Sequence, residues 1–106
     1  MRPIHEWCQR IHKWAHSKGF YFDRCDTPCR HISGSFASAV MLIVTELAEA
    51  VEADRKGDLK NRREEIADAT IRIFDLCGAE GIDLENEIAL KMEVNEQRPT
   101  LHGKKY

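Results

Sequence analysis

The fold of this chain is decided by residues 36–81, which read FASAVMLIVTELAEAVEADRKGDLKNRREEIADATIRIFDLCGAEG. Apolar residues recur at every third or fourth position in the first half, at Val40, Val44, Leu47 and Val51. The second half repeats this spacing at Ile66, Ala69, Ile73 and Cys77. Such spacing is typical of amphipathic helices, and Gly57 between the halves indicates a turn. The stretch therefore predicts two helices, 36–56 and 61–79, with a short connection.

The flanking segments also read as helices. Residues 3–18 repeat apolar positions at helical spacing, and Gly19 is a natural stop. After Gly81, Asp83 is expected to cap a fourth helix, which continues to about Gln97 because Pro99 prevents extension. The alternation typical of strands is missing from the sequence. Residues 1–106 are therefore predicted to form a single all-α domain of four helices.

The overall charge and hydropathy narrow the range of partners. A net charge of -2 gives no general attraction to a nucleic acid polymer or to an anionic membrane. No apolar run approaches the ~20 residues of a membrane span, and the N-terminal segment lacks the apolar core of a signal peptide. A cytoplasmic location is the expectation.

The four cysteines fall into two groups. Cys8 and Cys77 lie within helical patterns and are predicted to be small buried apolar residues. Cys25, Cys29 and His31 have some similarity to a zinc knuckle, but no second closely spaced pair follows to complete four ligands. Reduced thiols in a loop are therefore favoured over a structural zinc.

Two pairs of acidic residues, Glu46/Glu49 and Glu65/Asp68, lie in the two central helices with i, i+3 spacing. That spacing puts both members of a pair on one helix face, so two helices packed face to face would bring four carboxylates together. Like charges crowded in this way repel unless a cation lies between them. Because carboxylate oxygens prefer Mg²⁺ or Mn²⁺ to zinc or copper, the pattern predicts a magnesium site, and magnesium commonly accompanies phosphate chemistry.

A second polar set lies on the fourth helix, where Lys91, Asn95 and Arg98 follow i, i+4, i+7 spacing. They continue the face begun by Leu84 and Ile88, which is predicted to face the core. Polar residues on such a stripe are expected at functional sites. This set suits a polyphosphate, because arginine can donate two parallel hydrogen bonds to phosphate oxygens.

Both sets also have a simpler interpretation as solvated surface. Acidic residues are plentiful, with 18 Asp and Glu in all, and the polar set lies near a helix end. The alternative function is therefore a non-catalytic helical module whose apolar stripes bind a partner or a second copy. A carboxylate-bridged di-iron bundle is disfavoured because its Glu-x-x-His pairs are missing from the sequence.

Aromatic and histidine residues of the first helix are assigned structural roles. Trp7 and Trp14 are expected to anchor the core or a subunit interface. His5, His12 and His16 lie on one side of the helix and are expected to be solvated.

In these residues the chain resembles the MazG-like nucleotide pyrophosphohydrolases of the all-α NTP pyrophosphatase superfamily. The family hallmark, E-x-x-E followed after a helical hairpin by E-x-x-D, corresponds to Glu46-Leu-Ala-Glu49 and Glu65-Ile-Ala-Asp68. The segments 81–85, GIDLE, and 91–99, KMEVNEQRP, are similar to family sequences too. The resemblance covers residue 36 onward closely and residues 18–21 more loosely.

The resemblance implies a MazG-like bundle completed by oligomerisation, as a homodimer or homotetramer. It implies Mg²⁺-dependent hydrolysis of a nucleoside triphosphate to the monophosphate and pyrophosphate, which in many members removes unwanted or surplus (d)NTPs. Its metal ligands would be Glu46, Glu49, Glu65 and Asp68, and Mn²⁺ is an alternative ion. Its phosphate-binding residues would be Lys91, Asn95 and Arg98. The loop 23–35 has no role that the resemblance assigns.

A mechanism follows as a hypothesis. Glu49, at the edge of the carboxylate cluster, is expected to orient or deprotonate the attacking water, which would make it the catalytic base. One Mg²⁺ or several are compatible with the pattern. Aromatic side chains accept many bases by stacking, so Tyr21, Phe22 and Trp14 are candidates for base recognition, although core packing is the stronger expectation for each.

Overall fold

The computed structural model describes residues 1–19 and 36–99. Within these ranges the chain forms four helices and no strand: α1 Pro3–Ser17, α2 Phe36–Arg55, α3 Leu59–Glu80 and α4 Leu84–Glu96. The all-α prediction is confirmed for the described residues, and each helix begins and ends within two residues of its predicted bounds. None of these helices combines the length and the apolarity needed to cross a membrane.

Local signals explain where α3 and α4 begin and where α3 ends. Asp83 Oδ1 accepts a hydrogen bond from the backbone N–H of Asn86 at 3.1 Å, which confirms the predicted cap of α4. Asp58 caps α3 in the same way through Asn61 at 3.0 Å, a role that the sequence interpretation did not assign. Gly81 ends α3 with a φ of 67°, a left-handed conformation that glycine adopts without steric cost.

Helices α2 and α3 form an antiparallel hairpin, because the connection between them is too short for any other arrangement. The core of this hairpin consists of Ile43, Ala69 and Leu76, with Ala39 and Val40 packed against it. Polar side chains also meet between the two helices, because Nε of Arg72 on α3 donates a hydrogen bond to Glu46 on α2 at 3.0 Å.

Helix α1 packs against α3 at Gly78. A Cβ atom added to Gly78 would lie 2.5 Å from Cβ of His12 and 3.0 Å from the carbonyl oxygen of Cys8, so only glycine fits here. Cys8 and Cys77 are buried at this interface, as predicted, and both are free thiols. Burial raises the pKa of both thiols, which keeps them neutral.

Three of the four residues of the apolar stripe that defined α2 in the sequence are exposed, whereas Val40 packs against the core of the hairpin. Val44, Leu47 and Val51 are 45%, 44% and 54% exposed, whereas the buried residues of α2 are Ile43, Ala50 and Ala53. The predicted packing stripe of α3 is half correct: Ala69 and Cys77 are buried, but Ile66 and Ile73 are exposed. The described residues of α2 and α3 therefore leave apolar surface exposed.

Helix α4 is attached by its N-terminal end and contacts mainly α1. The guanidinium of Arg2 donates to Asp83 at 2.6 Å, and the backbone N–H of Ile4 donates to Glu85 at 2.7 Å. No residue of α4 is buried, and Ile88 is 42% exposed. The prediction that the stripe Leu84–Ile88 faces a core is wrong for the single chain, because α4 does not lie over the α2–α3 hairpin.

Candidate metal centre and adjoining cleft

Three of the four predicted carboxylates meet between α2 and α3. Oxygen atoms of Glu46, Glu49 and Glu65 all lie within 4.8 Å of one another. Glu46 and Glu49 are one turn apart on α2, and oxygen atoms of both lie within 4.8 Å of an oxygen of Glu65 on α3. Asp68, one turn beyond Glu65 on α3, is exposed and does not join this group among the described residues.

Glu46 is a well-shielded carboxylate of the cluster. It accepts a hydrogen bond from Nε of Arg72 at 3.0 Å, and its side chain is 13% exposed. A hydrogen bond from Glu65 lowers the pKa of Glu46 most, and Arg72 lowers it further by donating a hydrogen bond and by its charge. Glu46 therefore stays ionised in the presence of the neighbouring acids.

Glu65 shows the opposite behaviour. Its hydrogen bonds with Glu46 and Glu49 raise the pKa of Glu65 to about 7, and desolvation and repulsion from the two carboxylates add to the shift. If all three carboxylates were ionised, none of them could donate a hydrogen bond to another. A protonated Glu65 can donate one to a neighbouring carboxylate. The cluster therefore holds a proton on Glu65 well above the pH at which an ordinary glutamate loses it.

The residues of the cluster fit a hard divalent cation. Oε2 of Glu65 is shielded from solvent and has no hydrogen-bond partner among the described residues, so its lone pairs lack a positive neighbour. A buried carboxylate oxygen in this situation needs a proton or a cation. Carboxylate oxygens converging from two helices are the donor set that Mg²⁺ and Mn²⁺ prefer. Glu46, Glu49 and Glu65 could hold such an ion.

A cleft of about 300 Å³ adjoins the cluster and joins α1, α2 and α3. This volume is at the lower end of the range for small-molecule sites. Glu46 and Asp68 line the cleft, so it connects Asp68 with the carboxylate cluster. The other lining residues among those described are Ile11, Trp14, Ala15, Ile71, Arg72 and Asp75. Trp14 is half exposed, so its ring is accessible from the cleft rather than covered by the core.

The polar face of α3 contributes more to this region than the sequence interpretation assigned to it. Glu65, Asp68, Arg72 and Asp75 follow i, i+3, i+7, i+10 spacing, which places all four on one side of the helix. Arg72 and Asp75 were not predicted as site residues. The spacing from the acidic pair was the signal that could have identified them.

The histidines of α1 are not on a solvated face, so that prediction is wrong. His5, His12 and His16 are all partly buried. Nδ1 of His12 lies 3.0 Å from Oδ1 of Asp75, and the ring of His12 contacts that of His16 edge to face. The helix presents this side to α3 because Gly78 allows the close approach. His12 therefore supports one wall of the cleft through Asp75.

The polar set of α4 lies apart from the cleft. None of Lys91, Asn95 and Arg98 lines it, and α4 contacts mainly α1. Lys91 and Arg98 are exposed, and Asn95 is partly buried. The structure therefore does not bring this set to the carboxylates within one chain.

Several predicted residues lie outside the described ranges. These are the base-recognition candidates Tyr21 and Phe22 and the loop residues Cys25, Cys29 and His31. The two tryptophans are described, and both are about half exposed, Trp7 under the guanidinium of Arg10 at 4.8 Å. Neither is a core anchor of the single chain.

Comparisons of the chain with protein-family models, with curated protein sequences and with solved structures found no match. The class of site is therefore defined by geometry alone: a carboxylate cluster on a helical hairpin, beside a cleft with one aromatic wall.

Proposed function

We propose that this protein is a Mg²⁺-dependent nucleoside triphosphate pyrophosphohydrolase with a MazG-like fold, which hydrolyses (d)NTPs to (d)NMPs and pyrophosphate. One observation carries the proposal, the convergence of Glu46, Glu49 and Glu65 within 4.8 Å beside an open cleft. The resemblance of their sequence motifs to that family supports it. Removal of unwanted nucleotides from the cytoplasmic pool is the role that this activity would serve.

In this proposal Glu46, Glu49 and Glu65 bind the metal, and Asp68 completes the site from the edge of the cleft. A bound Mg²⁺ supplies positive charge that offsets the charge of the phosphates and of the transition state. The proton on Glu65 must leave when the ion binds, because both occupy the same oxygen lone pairs. Arg72 holds Glu46 ionised and fixes its orientation.

Glu49 is the proposed catalytic base. It is the exposed member of the cluster, so a water molecule can reach it from solvent. Its carboxylate would orient the water and accept its proton as the α–β phosphoanhydride bond breaks. The water oxygen then belongs to one product phosphate, and pyrophosphate and the monophosphate leave. Trp14 offers an accessible ring on which the base can stack at the far wall of the cleft.

Oligomerisation is part of the proposal. A homodimer or homotetramer would cover the exposed apolar side chains of α2, namely Val44, Leu47 and Val51. It is also the arrangement in which Lys91, Asn95 and Arg98 of one copy can face the phosphates in the cleft of another, since they do not line the cleft of their own chain.

The experiment that tests the activity is a panel of (d)NTPs incubated with the protein and Mg²⁺, assayed separately for pyrophosphate and for orthophosphate. Pyrophosphate release by the wild-type protein and its loss in Glu49→Gln are the expected results. Glu52→Gln is the matched control, because Glu52 is an exposed glutamate one turn away that pairs with Arg55 and Lys56 instead of the cluster. Equal turnover in all three proteins would contradict the assignment of Glu49.

A non-catalytic helical module is the second candidate, and the exposed apolar face of α2 favours it. In that case no nucleotide of the panel would release pyrophosphate, and the protein would still self-associate or bind a partner through that face. The two functions are separated by the wild-type assay alone.

A further inference from the structure

The cleft beside the metal centre has an unfavourable charge for a triphosphate. Among the lining residues that the structure describes, three are carboxylates, Glu46, Asp68 and Asp75, and Arg72 is the single guanidinium or ammonium group. These carboxylates repel a phosphate chain, and the repulsion is stronger where water is partly excluded. A phosphate chain therefore needs contact with a cation on this wall as well as with the ion of the cluster.

Arg72 has the geometry to provide that contact. Its Nε–H donates to Oε1 of Glu46 at 3.0 Å, and its side chain remains 37% exposed. Within the described part of the chain, the four N–H groups on its two terminal nitrogens make no hydrogen bond. Because a guanidinium has five donors in a rigid planar fork, one edge can hold a carboxylate while the other binds a phosphate.

We propose that Arg72 is a substrate-binding residue that joins the metal centre to the triphosphate: Nε holds Glu46, and the terminal nitrogens bind a phosphate oxygen of the nucleotide. This inference rests on the proposed function and adds to it a cation from α3. Arginine suits the position because it stays charged beside acids and binds oxygen atoms in pairs, whereas lysine offers a single charged point.

A second ion pair between the same two helices provides a matched control. Nη1 of Arg62 on α3 lies 2.6 Å from Oδ1 of Asp54 on α2, and Arg62 is comparably exposed at 46%. Neither residue lines the cleft or belongs to the carboxylate cluster. Arg62→Gln therefore removes an arginine–carboxylate bridge from the hairpin without changing the charge of the proposed site.

The experiment compares wild type, Arg72→Gln, Arg72→Lys and Arg62→Gln. Binding of a non-hydrolysable triphosphate analogue and of the matching monophosphate is measured by calorimetry with Mg²⁺ present, and kcat and KM are measured for the triphosphate. Arg72→Gln should weaken binding of the triphosphate analogue by about 10- to 100-fold, the loss expected for charge-assisted hydrogen bonds. Monophosphate binding should change much less, and Arg72→Lys should recover part of the loss.

The outcomes separate a substrate contact from a merely structural role. If Arg72 only orients Glu46, the loss of analogue binding in Arg72→Gln would follow from weaker binding of the ion and would disappear at saturating Mg²⁺, and that result would overturn the inference. Arg62→Gln is expected to keep the KM and the affinity of the wild type. If Arg72→Gln also kept both, the inference would be overturned and the proposed function would stand. Failure of the wild-type protein to bind or hydrolyse any nucleotide would instead contradict the proposed function. If Arg72→Gln does not fold, the same comparison of the two ligands in Arg72→Lys decides.

Discussion

Carboxylate oxygens of Glu46 on α2 and Glu65 on α3 lie within 4.8 Å of each other, and the two residues have pKa values shifted in opposite directions. Glu46 is held ionised by Glu65 and Arg72, while Glu65 retains a proton up to a pKa of about 7. A cation that replaces this proton would relieve the repulsion in the cluster. The metal-binding proposal depends on this relationship.

The raised pKa of Glu65 predicts how stability depends on pH in the absence of metal. Between the ordinary pKa of 4.5 and about 7, the folded state binds a proton that the unfolded state has lost. This contribution to the free energy of unfolding is therefore present at low pH and is lost as pH rises through 7. Glu46, whose pKa is lowered, acts in the opposite sense and below pH 4.5. In EDTA, the melting temperature of Glu65→Gln should therefore change less between pH 5 and about 8 than that of the wild type.

The control for this titration is Glu64→Gln, which changes the preceding, exposed residue that pairs with Lys60. That variant should keep the wild-type pH profile. Parallel profiles for wild type and Glu65→Gln would show that the cluster does not hold the proton.

Gly78→Ala should destabilise the protein by about 1–3 kcal/mol, because the added Cβ would lie 2.5 Å from Cβ of His12 and force α1 away from α3. In an exposed helix the same change would stabilise by about 1 kcal/mol. Ala67→Gly on the exposed face of α3 measures that propensity term separately. Urea denaturation checks both variants, and a Gly78→Ala protein more stable than wild type would mean that the α1–α3 contact is looser than described.

Asp83→Ala should destabilise the protein more than Asp58→Ala does. Both aspartates cap a helix, and loss of the cap at Asp58 should cost about 1 kcal/mol. Asp83 in addition accepts hydrogen bonds from Arg2, which ties the start of α1 to the start of α4 and lowers the pKa of Asp83. Thermal denaturation at pH 7 compares the two variants. Asp83→Ser, which keeps a capping oxygen but not the charge, should lie between wild type and Asp83→Ala.

Leu47→Glu should abolish self-association without unfolding the chain. Leu47 is 44% exposed at the centre of the apolar stripe of α2, so a charge there costs little in the monomer and much in a covered interface. Sedimentation and circular dichroism measure the two effects. Lys60→Glu, which changes an exposed charge on α3, is the control and should leave the oligomeric state unchanged. A wild-type protein that is monomeric at all concentrations would contradict the proposed assembly.

The helix bounds could be predicted because their signals are local. Gly81 and Asp83 mark the end of α3 and the start of α4 whatever the rest of the chain does. The face of α2 that packs on α3 could not be predicted from local signals. Hydrophobic spacing selects Val44, Leu47 and Val51, whereas the buried residues of α2 are Ile43, Ala50 and Ala53.

Part of the candidate site could also be predicted, because helical spacing is a local signal. The i, i+3 spacing identified Glu46, Glu49 and Glu65 from the sequence. The spacing did not distinguish Asp68, which follows the same pattern but does not join the cluster among the described residues. Arg72 and Asp75 were missed because their role depends on α1, which forms the opposite wall of the cleft through a long-range contact.

The most direct test of the central claim is titration of the protein with Mn²⁺, followed by electron paramagnetic resonance of the free ion at pH 7.5 and competed with Mg²⁺. We expect saturable binding in the wild-type protein and in Glu64→Gln, and loss of that binding in Glu46→Gln and Glu65→Gln. Equal Mn²⁺ binding in all four proteins, or none in the wild type, would contradict a metal centre between α2 and α3.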